Sequence, residues 1–193
     1  MDDKAAIRET VENWVVWRDA GDWDRFATVW HADGWMSATW FQGPAGKFIE
    51  VSREGFERGV NVLHALNGWS CDLDGTRAVS QVKMNIFQRA PLDGVQVDVI
   101  CWGRFYDFFE KRDGRWGIVR RQPIYEKDRL DPVIPGTAPA GFYDGLKLEG
   151  PKTGSAFLAF RLSKIGRQSV PMIYSLSDEE KQLRAEYRRW LEG

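Results

Sequence analysis

Residues 95–126 read VQVDVICWGRFYDFFEKRDGRWGIVRRQPIYE, and this stretch decides the fold of the chain. Apolar side chains occupy both alternating sets of positions from Val95 to Phe109, which predicts a strand covered on both faces. Asp113-Gly114 follows at a place typical of a two-residue hairpin turn, and Asp74-Gly75 and Asp93-Gly94 stand between further strand-like runs. These three turns predict a four-stranded antiparallel meander.

Helical spacing of apolar residues precedes the meander. It predicts a first helix over Asp3–Ala20, which Gly21 ends, and a short second helix over Asp22–His31. Residues 35–41 are predicted to form a strand, and a third helix is predicted over Ser52–His64. This order indicates an α+β fold, namely a cone-shaped α+β barrel in which a curved antiparallel sheet wraps on the N-terminal helices.

The composition changes after Asp131, where a stretch rich in Gly and Pro begins and runs to Gly154. We therefore expect a cone domain at residues 1–131, and an extended linker with a helical C-terminal arm at residues 132–193. The arm is expected to be a lid over the pocket mouth or a neighbouring subunit, or else a covering layer for the convex face of the sheet. A partner subunit is the simpler cover for that face, so we expect a homodimer or homotrimer.

Charge and hydropathy exclude several classes of protein. The chain has 27 basic and 28 acidic residues without a Lys/Arg-rich tract, so nucleic acid is not an expected partner. Neither a stretch of membrane-spanning length nor a signal-peptide pattern is present, so we expect no membrane partner and a cytoplasmic location. Cys71 and Cys101 are expected to be small buried side chains rather than disulfide partners or metal ligands.

Tryptophan is the compositional outlier, with ten residues of which nine fall before residue 120. A cavity walled by indole rings favours a flat or cyclic apolar ligand, so a small hydrophobic molecule is the expected partner. The sequence holds no phosphate loop, nucleotide motif or paired-cysteine metal motif, so neither a cofactor nor a metal is expected. The candidate substrate-binding residues, for each of which core packing is the alternative, are Trp14, Trp40, Trp69, Trp102, Phe105 and Tyr125.

Several local sequences resemble the landmarks of a known family. Residues 18–26, RDAGDWDRF, resemble the first-helix segment of scytalone dehydratase, and Asp19 falls on the aspartate of that helix. Gly43-Pro44-Ala45-Gly46, then His64, then residues 112–116, RDGRW, resemble successive landmarks of hexachlorocyclohexane dehydrochlorinase. By these motifs the chain resembles the SnoaL-like branch of the nuclear transport factor 2-like superfamily.

The resemblance implies a catalytic pair of Asp19 and His64. In the two enzymes an Asp-His pair removes a carbon-bound proton while water or halide departs, and Arg121 matches the dehydrochlorinase arginine that assists the leaving group. An imidazole titrates near neutrality and suits a general base that a carboxylate orients. The alternative is structural: His64 ends a helix and bonds a backbone carbonyl, Asp19 faces water, and Arg121 forms an ion pair with Asp19 or Glu12.

The resemblance to the dehydratase is incomplete. That enzyme uses a second active-site histidine from its sheet, whereas no histidine follows His64 here. The other histidine of the chain, His31, is expected in an exposed turn after the second helix. Substrate identity therefore does not transfer.

The leading prediction is a cofactor-independent lyase of the dehydratase or dehydrohalogenase type, which removes a carbon-bound proton from a small hydrophobic cyclic substrate. One alternative is an isomerase of the ketosteroid type, for which the sheet offers Asp98 and Asp107, although carboxylates at strand edges are usually solvated. Another alternative is a non-catalytic ligand-binding or assembly module of the same fold. An Asp19–His64 contact facing an enclosed cavity favours the enzyme, whereas an interior filled with side chains favours the module.

Overall fold

The computed structural model describes residues 2–148 and 154–192. The helices of this part of the chain are α1 (Asp3–Ala20), α2 (Trp23–Thr28), α3 (Ala45–Glu57), α4 (Ala156–Lys164) and α5 (Asp178–Glu192). Its strands are β1 (Trp30–Ala38), β2 (Phe41–Pro44), β3 (Val62–Asp74), β4 (Arg77–Leu92), β5 (Val95–Arg112), β6 (Arg115–Pro132) and β7 (Ile173–Tyr174). Within the described residues, none of the helices combines the length and the apolar character that crossing a membrane requires.

The seven strands form one curved, unclosed sheet in the order β2-β1-β6-β5-β4-β3, and β7 pairs with β6. Strands β3 to β6 are antiparallel neighbours, which confirms the predicted meander. Strands β1 and β7 run parallel to β6. The predicted α+β class, with N-terminal helices packed on a curved sheet, is confirmed.

The Asp-Gly turns join the long strands as predicted, with one shift. Asp93 and Gly94 have φ angles of 48° and 80°, and the equivalent pair at residues 113–114 has 50° and 78°. Two successive left-handed residues are what a type I′ hairpin turn requires. In the first hairpin the connecting pair is instead Gly75-Thr76, because Asp74 already pairs with Arg77.

Two helices end earlier than the sequence predicts. Helix α2 ends at Thr28, so His31 lies in β1 and is only 5% exposed rather than part of an exposed turn. Helix α3 ends at Glu57, and Gly59 turns the chain with a φ of 85°. His64 therefore lies near the start of strand β3, not at the end of a helix. The direction of the His64 side chain is therefore set by the alternation of side chains along a strand, and not by helical spacing.

The segment after β6 covers parts of both faces of the sheet. Phe160 of α4 packs with Val97 and Val99 of β5, on the face that carries the main core. On the opposite face of the same strand, Leu183 of α5 packs with Tyr106. Since the chain itself supplies this cover, no second subunit is needed for it, and the homodimer or homotrimer stays a prediction. The predicted extended connection includes residues 149–153, which lie outside the described residues.

Candidate active site

Asp19 contacts His64 at two points. One carboxylate oxygen lies 2.8 Å from Nδ1 of the imidazole, and the other accepts the backbone N–H of His64 at 2.6 Å. A carboxylate can only accept, so Nδ1 carries the hydrogen and Nε2 carries the free lone pair. Among the described residues, Nε2 has no hydrogen-bond partner. The arrangement holds the ring in the tautomer that can take up a proton.

The end of α1 positions the carboxylate. Asp19 is the last residue but one of the helix, which Gly21 ends in the left-handed region with a φ of 71°. Arg18 reaches across to the carbonyl of Val62 at 3.4 Å, and its guanidinium lies 3.5 Å from the Asp19 carboxylate. These contacts fix the C-terminal turn of α1 against the first residues of β3.

Burial governs the charge state of His64. Its side chain is only 6% exposed, and this burial lowers the pKa of the imidazole below the ordinary value of 6.5. The hydrogen bond and charge of Asp19 act to raise the pKa, whereas the cations Arg18 and Arg121 act to lower it further. Because burial prevails, the ring is neutral at pH 7 and available as a base.

Aromatic rings surround the imidazole. The Trp14 ring meets it edge-on with 5.3 Å between centroids, and the Phe105 ring lies 6.0 Å away. The Arg121 guanidinium carbon lies 4.3 Å from the Trp14 centroid and 4.2 Å from the Phe105 centroid. The base and the predicted anion-stabilising arginine therefore contact the same two rings.

Asp107 is the ion-pair partner of Arg121. Two hydrogen bonds of 2.7 Å join the guanidinium to the carboxylate, and both side chains are fully buried. The expected partners of the structural alternative, Asp19 and Glu12, are therefore wrong, and so is the expectation that Asp107 is solvated. Nη1 of Arg121 is buried without a hydrogen-bond partner in the described part of the chain, so one donor stays free.

The other predicted binding residues lie at different distances from this centre. Trp40 stacks on Phe48, which in turn stacks on Trp14, and Tyr125 is buried in the same core. Trp69 packs at the edge of that core and donates its N–H to Ser80 at 2.9 Å. These three side chains therefore pack in or against the same core as Trp14, which contacts His64.

Trp102 does not reach this interior. It alternates with the buried Cys101 on β5 and therefore faces the opposite side of the sheet, where the Lys127 ammonium lies 5.4 Å from the centroid of its ring. The prediction of Trp102 as a substrate-binding residue is not supported by this position. The sequence signal for this is parity: Cys101 and Phe105 are at odd positions of the strand, and Trp102 is at an even position, so its side chain lies on the other face.

Two cavities lie in the described part of the chain outside the Asp19–His64 pair, since neither residue is in their lining. A groove of about 730 Å³ lies between β6, residues 169–174 and α5, and is lined largely by polar side chains. A smaller cavity of about 280 Å³ lies between α1 and β3. Around the imidazole the interior is filled by Trp14, Phe105 and their neighbours.

Metal ligation has no support in the part of the chain that the structure describes. Groups of three or more His, Cys, Asp or Glu side chains that could hold an ion do not occur there. Cys71 and Cys101 are both buried free thiols, as the sequence predicts, and burial raises the pKa of Cys71 to about 11.

Curated relatives of the chain come from filamentous fungi. A PEP2-like protein of Fusarium vanettenii is 35% identical over 161 residues, which cover 82% of this chain and 68% of the relative. An uncharacterized protein of Emericella nidulans is 39% identical over 146 residues, which cover 71% of this chain and 61% of the relative. The chain thus spans 61–68% of the length of these two relatives.

Solved structures share the fold. A protein of Novosphingobium aromaticivorans provisionally described as a scytalone dehydratase has a TM-score of 0.55 and 20% identity, over 65% of this chain and 85% of its own. A hexachlorocyclohexane dehydrochlorinase has a TM-score of 0.55 and 15% identity, over 72% of this chain and 94% of its own. The sequence profile of the SnoaL-like domain matches residues 1–122, so the chain belongs to the SnoaL-like domain family.

Proposed function

We propose that the protein is a lyase in which His64 removes a carbon-bound proton from a small cyclic substrate while a hydroxyl or halide group leaves. The observation that carries this proposal is the two-point contact of Asp19 with His64, which leaves Nε2 free on a neutral, buried ring. A structural histidine needs neither a fixed tautomer nor a free ring nitrogen. A general base needs both.

The proposed steps balance in charge. The C–H bond breaks as its proton moves to Nε2, the electron pair forms the new carbon–carbon double bond, and the leaving group takes the electrons of its own bond. Asp19 stabilises the imidazolium that results, because its carboxylate already bonds Nδ1–H at 2.8 Å. A departing hydroxide needs a proton to leave as water, and the imidazolium can return it.

Arg121 is the proposed stabiliser of the departing anion. It lies on the same two rings as His64, and its Nη1 has no partner among the described residues. The ion pair with Asp107 holds the guanidinium in place through its other two nitrogens. A buried hydrogen-bond donor aimed at developing negative charge is worth more than one in water.

The packed interior supports a second candidate, a non-catalytic binding or assembly module. Neither of the two cavities described above is lined by His64, and aromatic side chains pack beside its ring. Met36 and Met84 belong to the same core, and such flexible thioether side chains can repack around a ligand. A ketosteroid-type isomerase would need a free carboxylate base on the sheet. It is less well supported, because Asp107 forms an ion pair with Arg121 and Asp98 forms one with Arg89.

A panel of hydroxylated and halogenated cyclic compounds tests the proposal, with loss of water or halide as the readout. We expect turnover of at least one compound, and a fall of about 10²–10⁴-fold in His64→Ala. The matched control is Leu63→Ala, the exposed neighbour on the same strand, which is expected to keep full activity. Circular dichroism checks that both variants fold.

Two outcomes contradict the lyase. Activity that survives in His64→Ala removes this residue from the mechanism. Ligand binding without turnover across the whole panel supports the module instead.

A further inference from the structure

A second, smaller cavity lies on the side of the molecule between α1 and β3, and we call it the α1–β3 cavity. Its volume is about 280 Å³. Its lining includes four apolar side chains, which we call the floor, namely Val11 of α1, Leu66 and Trp69 of β3, and Val82 of β4. The Trp69 ring is held by the hydrogen bond from its N–H to the Ser80 hydroxyl. The floor is thus a fixed, partly aromatic surface.

A β-bulge shapes this cavity. The register between β3 and β4 shifts between Asn67 and Trp69, and Gly68 takes a left-handed φ of 45°. A Cβ atom added at Gly68 would meet nothing within 4 Å, so open space lies beside the bulge. β-Bulges re-aim side chains and occur often beside binding sites.

The cavity adjoins the candidate active site along β3. Leu66 lies two residues beyond His64 and faces the same side of the strand, about 7 Å further along. Val11 lies one helical turn before Trp14, the ring that touches the imidazole. The same two elements, α1 and β3, therefore line the cavity at one end and hold the Asp19–His64 pair at the other.

The lining of the cavity is polar in part. Its polar side chains, which we call the rim, are Arg8 and Glu12 of α1 and Asn67 of β3. Arg8 and Glu12 are more than half exposed and pair with each other at 2.8 Å, so the Asn67 amide is the donor and acceptor for a ligand hydroxyl group. The volume lies just below the range of about 300–1,000 Å³ for ligand cavities, which suits one ring rather than two.

We propose that the α1–β3 cavity binds a single-ring compound that carries a hydroxyl group, with the ring on the Trp69 floor and the hydroxyl at the polar rim. This binding site goes beyond the proposed function and does not rest on it, because the cavity lies beside the Asp19–His64 pair and neither residue lines it. Binding itself is measurable without turnover, so failure of the lyase proposal and failure of this one are distinguishable.

Fluorine NMR of para-fluorophenol with the full chain tests the site. We expect saturable binding to the wild type, and a dissociation constant at least about tenfold higher in Leu66→Trp, which fills the floor. The matched control is Leu63→Trp, on the opposite face of the same strand and 54% exposed, which is expected to bind like the wild type. Trp69→Leu, which removes the aromatic floor, is a second variant in case Leu66→Trp does not fold.

A companion probe tests the hydroxyl preference. Para-fluoroanisole has the same ring with the hydroxyl hydrogen replaced by a methyl group, and we expect it to bind about fivefold more weakly. Absence of saturable binding, or equal weakening in Leu66→Trp and Leu63→Trp, overturns the site. Equal affinity for the two probes overturns the assignment of a hydroxylated ligand.

Discussion

Asp107 and Arg121 form a fully buried ion pair with two hydrogen bonds of 2.7 Å, and the guanidinium carbon lies 4.3 Å from the centroid of the Trp14 ring that contacts His64. Burial of two charges is costly, and the pair regains that cost only while both members are present. Burial raises the pKa of the Asp107 carboxyl, whereas the guanidinium acts to lower it.

Breaking this pair is expected to destabilise the protein strongly. Asp107→Asn leaves the guanidinium without its anionic partner, and we expect a loss of about 3–5 kcal/mol in the free energy of unfolding. Urea denaturation measures the change. The double variant Asp107→Leu/Arg121→Met is expected to recover much of the loss, and Asp98→Asn in the exposed Arg89 pair serves as the control with little effect. A single variant as stable as the wild type would contradict the account.

The pKa of His64 predicts how stability depends on pH. Because burial lowers the folded-state pKa below 6.5, the unfolded chain binds the proton more readily, so protonation favours unfolding. We expect the free energy of unfolding to fall as the pH drops below 6.5, and this part of the fall to be absent in His64→Gln. Imidazole nitrogen NMR should show the ring neutral at pH 6.5. A titration midpoint at or above 6.5 would be inconsistent with burial as the prevailing cause.

The same pKa predicts the acid limb of the activity. Because the pKa of the base lies below 6.5, the midpoint of the acid decline in kcat/KM is expected at a pH below 6.5. The measurement is a pH–rate profile with a substrate found in the panel. Asp19→Asn, which removes the charge that stabilises the imidazolium, is expected to lower kcat by about 10²–10⁴-fold. A profile unchanged in Asp19→Asn would exclude the carboxylate from the reaction.

Burial of the charged Asp128 carboxylate is electrostatically unfavourable. One of its oxygens accepts the N–H of Leu158 at the start of α4 at 2.8 Å, the other is buried without a partner in the described residues, and burial raises its pKa to about 6. A raised carboxyl pKa means that stability is lost as the pH rises from about 4 to 6. We expect Asp128→Asn, which keeps an acceptor for Leu158, to stabilise the protein at pH 8 by up to roughly 3 kcal/mol and not at pH 4.

Urea denaturation of Asp128→Asn at the two pH values checks this sign. Asp131→Asn, a more exposed change on the same strand, is the control and should show no such difference between pH 4 and pH 8. If Asp128→Asn is less stable than the wild type at pH 8, the hydrogen bonds of the charged carboxylate stabilise the fold by more than the cost of burying its charge.

Gly103 lies in a closely packed environment, whereas Gly46 lies beside open space. A Cβ atom at Gly103 would clash with the backbone carbonyl oxygen of Ile124, so Gly103→Ala must push β5 and β6 apart. We expect a loss of more than about 2 kcal/mol in the free energy of unfolding. At Gly46 in α3 a Cβ atom meets nothing within 4 Å, and Gly46→Ala should gain up to about 1 kcal/mol. Thermal melts of the two variants measure both, and shifts of the same sign would contradict the packing argument.

The sequence predicts the meander because its turns are local. Asp93-Gly94 and residues 113–114 adopt the left-handed conformations that their types permit, whatever the rest of the chain does. The position of His64 could not be predicted in the same way, since Phe56, Val60 and Leu63 continue a helical spacing beyond the true end of α3. The glycines in that stretch are the signal that should have outweighed the spacing.

The candidate site, too, is predictable from the sequence only in part. The pairing of Asp19 with His64 follows from the family resemblance, which carries positions across the fold. The partner of Arg121 does not follow from it, because opposing residues on β5 and β6 are set by a register that shifts at a bulge between Phe108 and Phe109. Both alternating sets of positions on β5 are apolar, so the pattern alone does not tell which face holds Asp107 and which holds Trp102.

During synthesis, β4, β5 and β6 leave the ribosome before α4 and α5 do. The apolar flanks that Phe160 and Leu183 later cover stay bare on both sides of the nascent sheet until these helices emerge. Emergence of α4 and α5 therefore completes the cover of the sheet, and a polypeptide released after residue 131 would expose apolar surfaces on both faces of the sheet and aggregate.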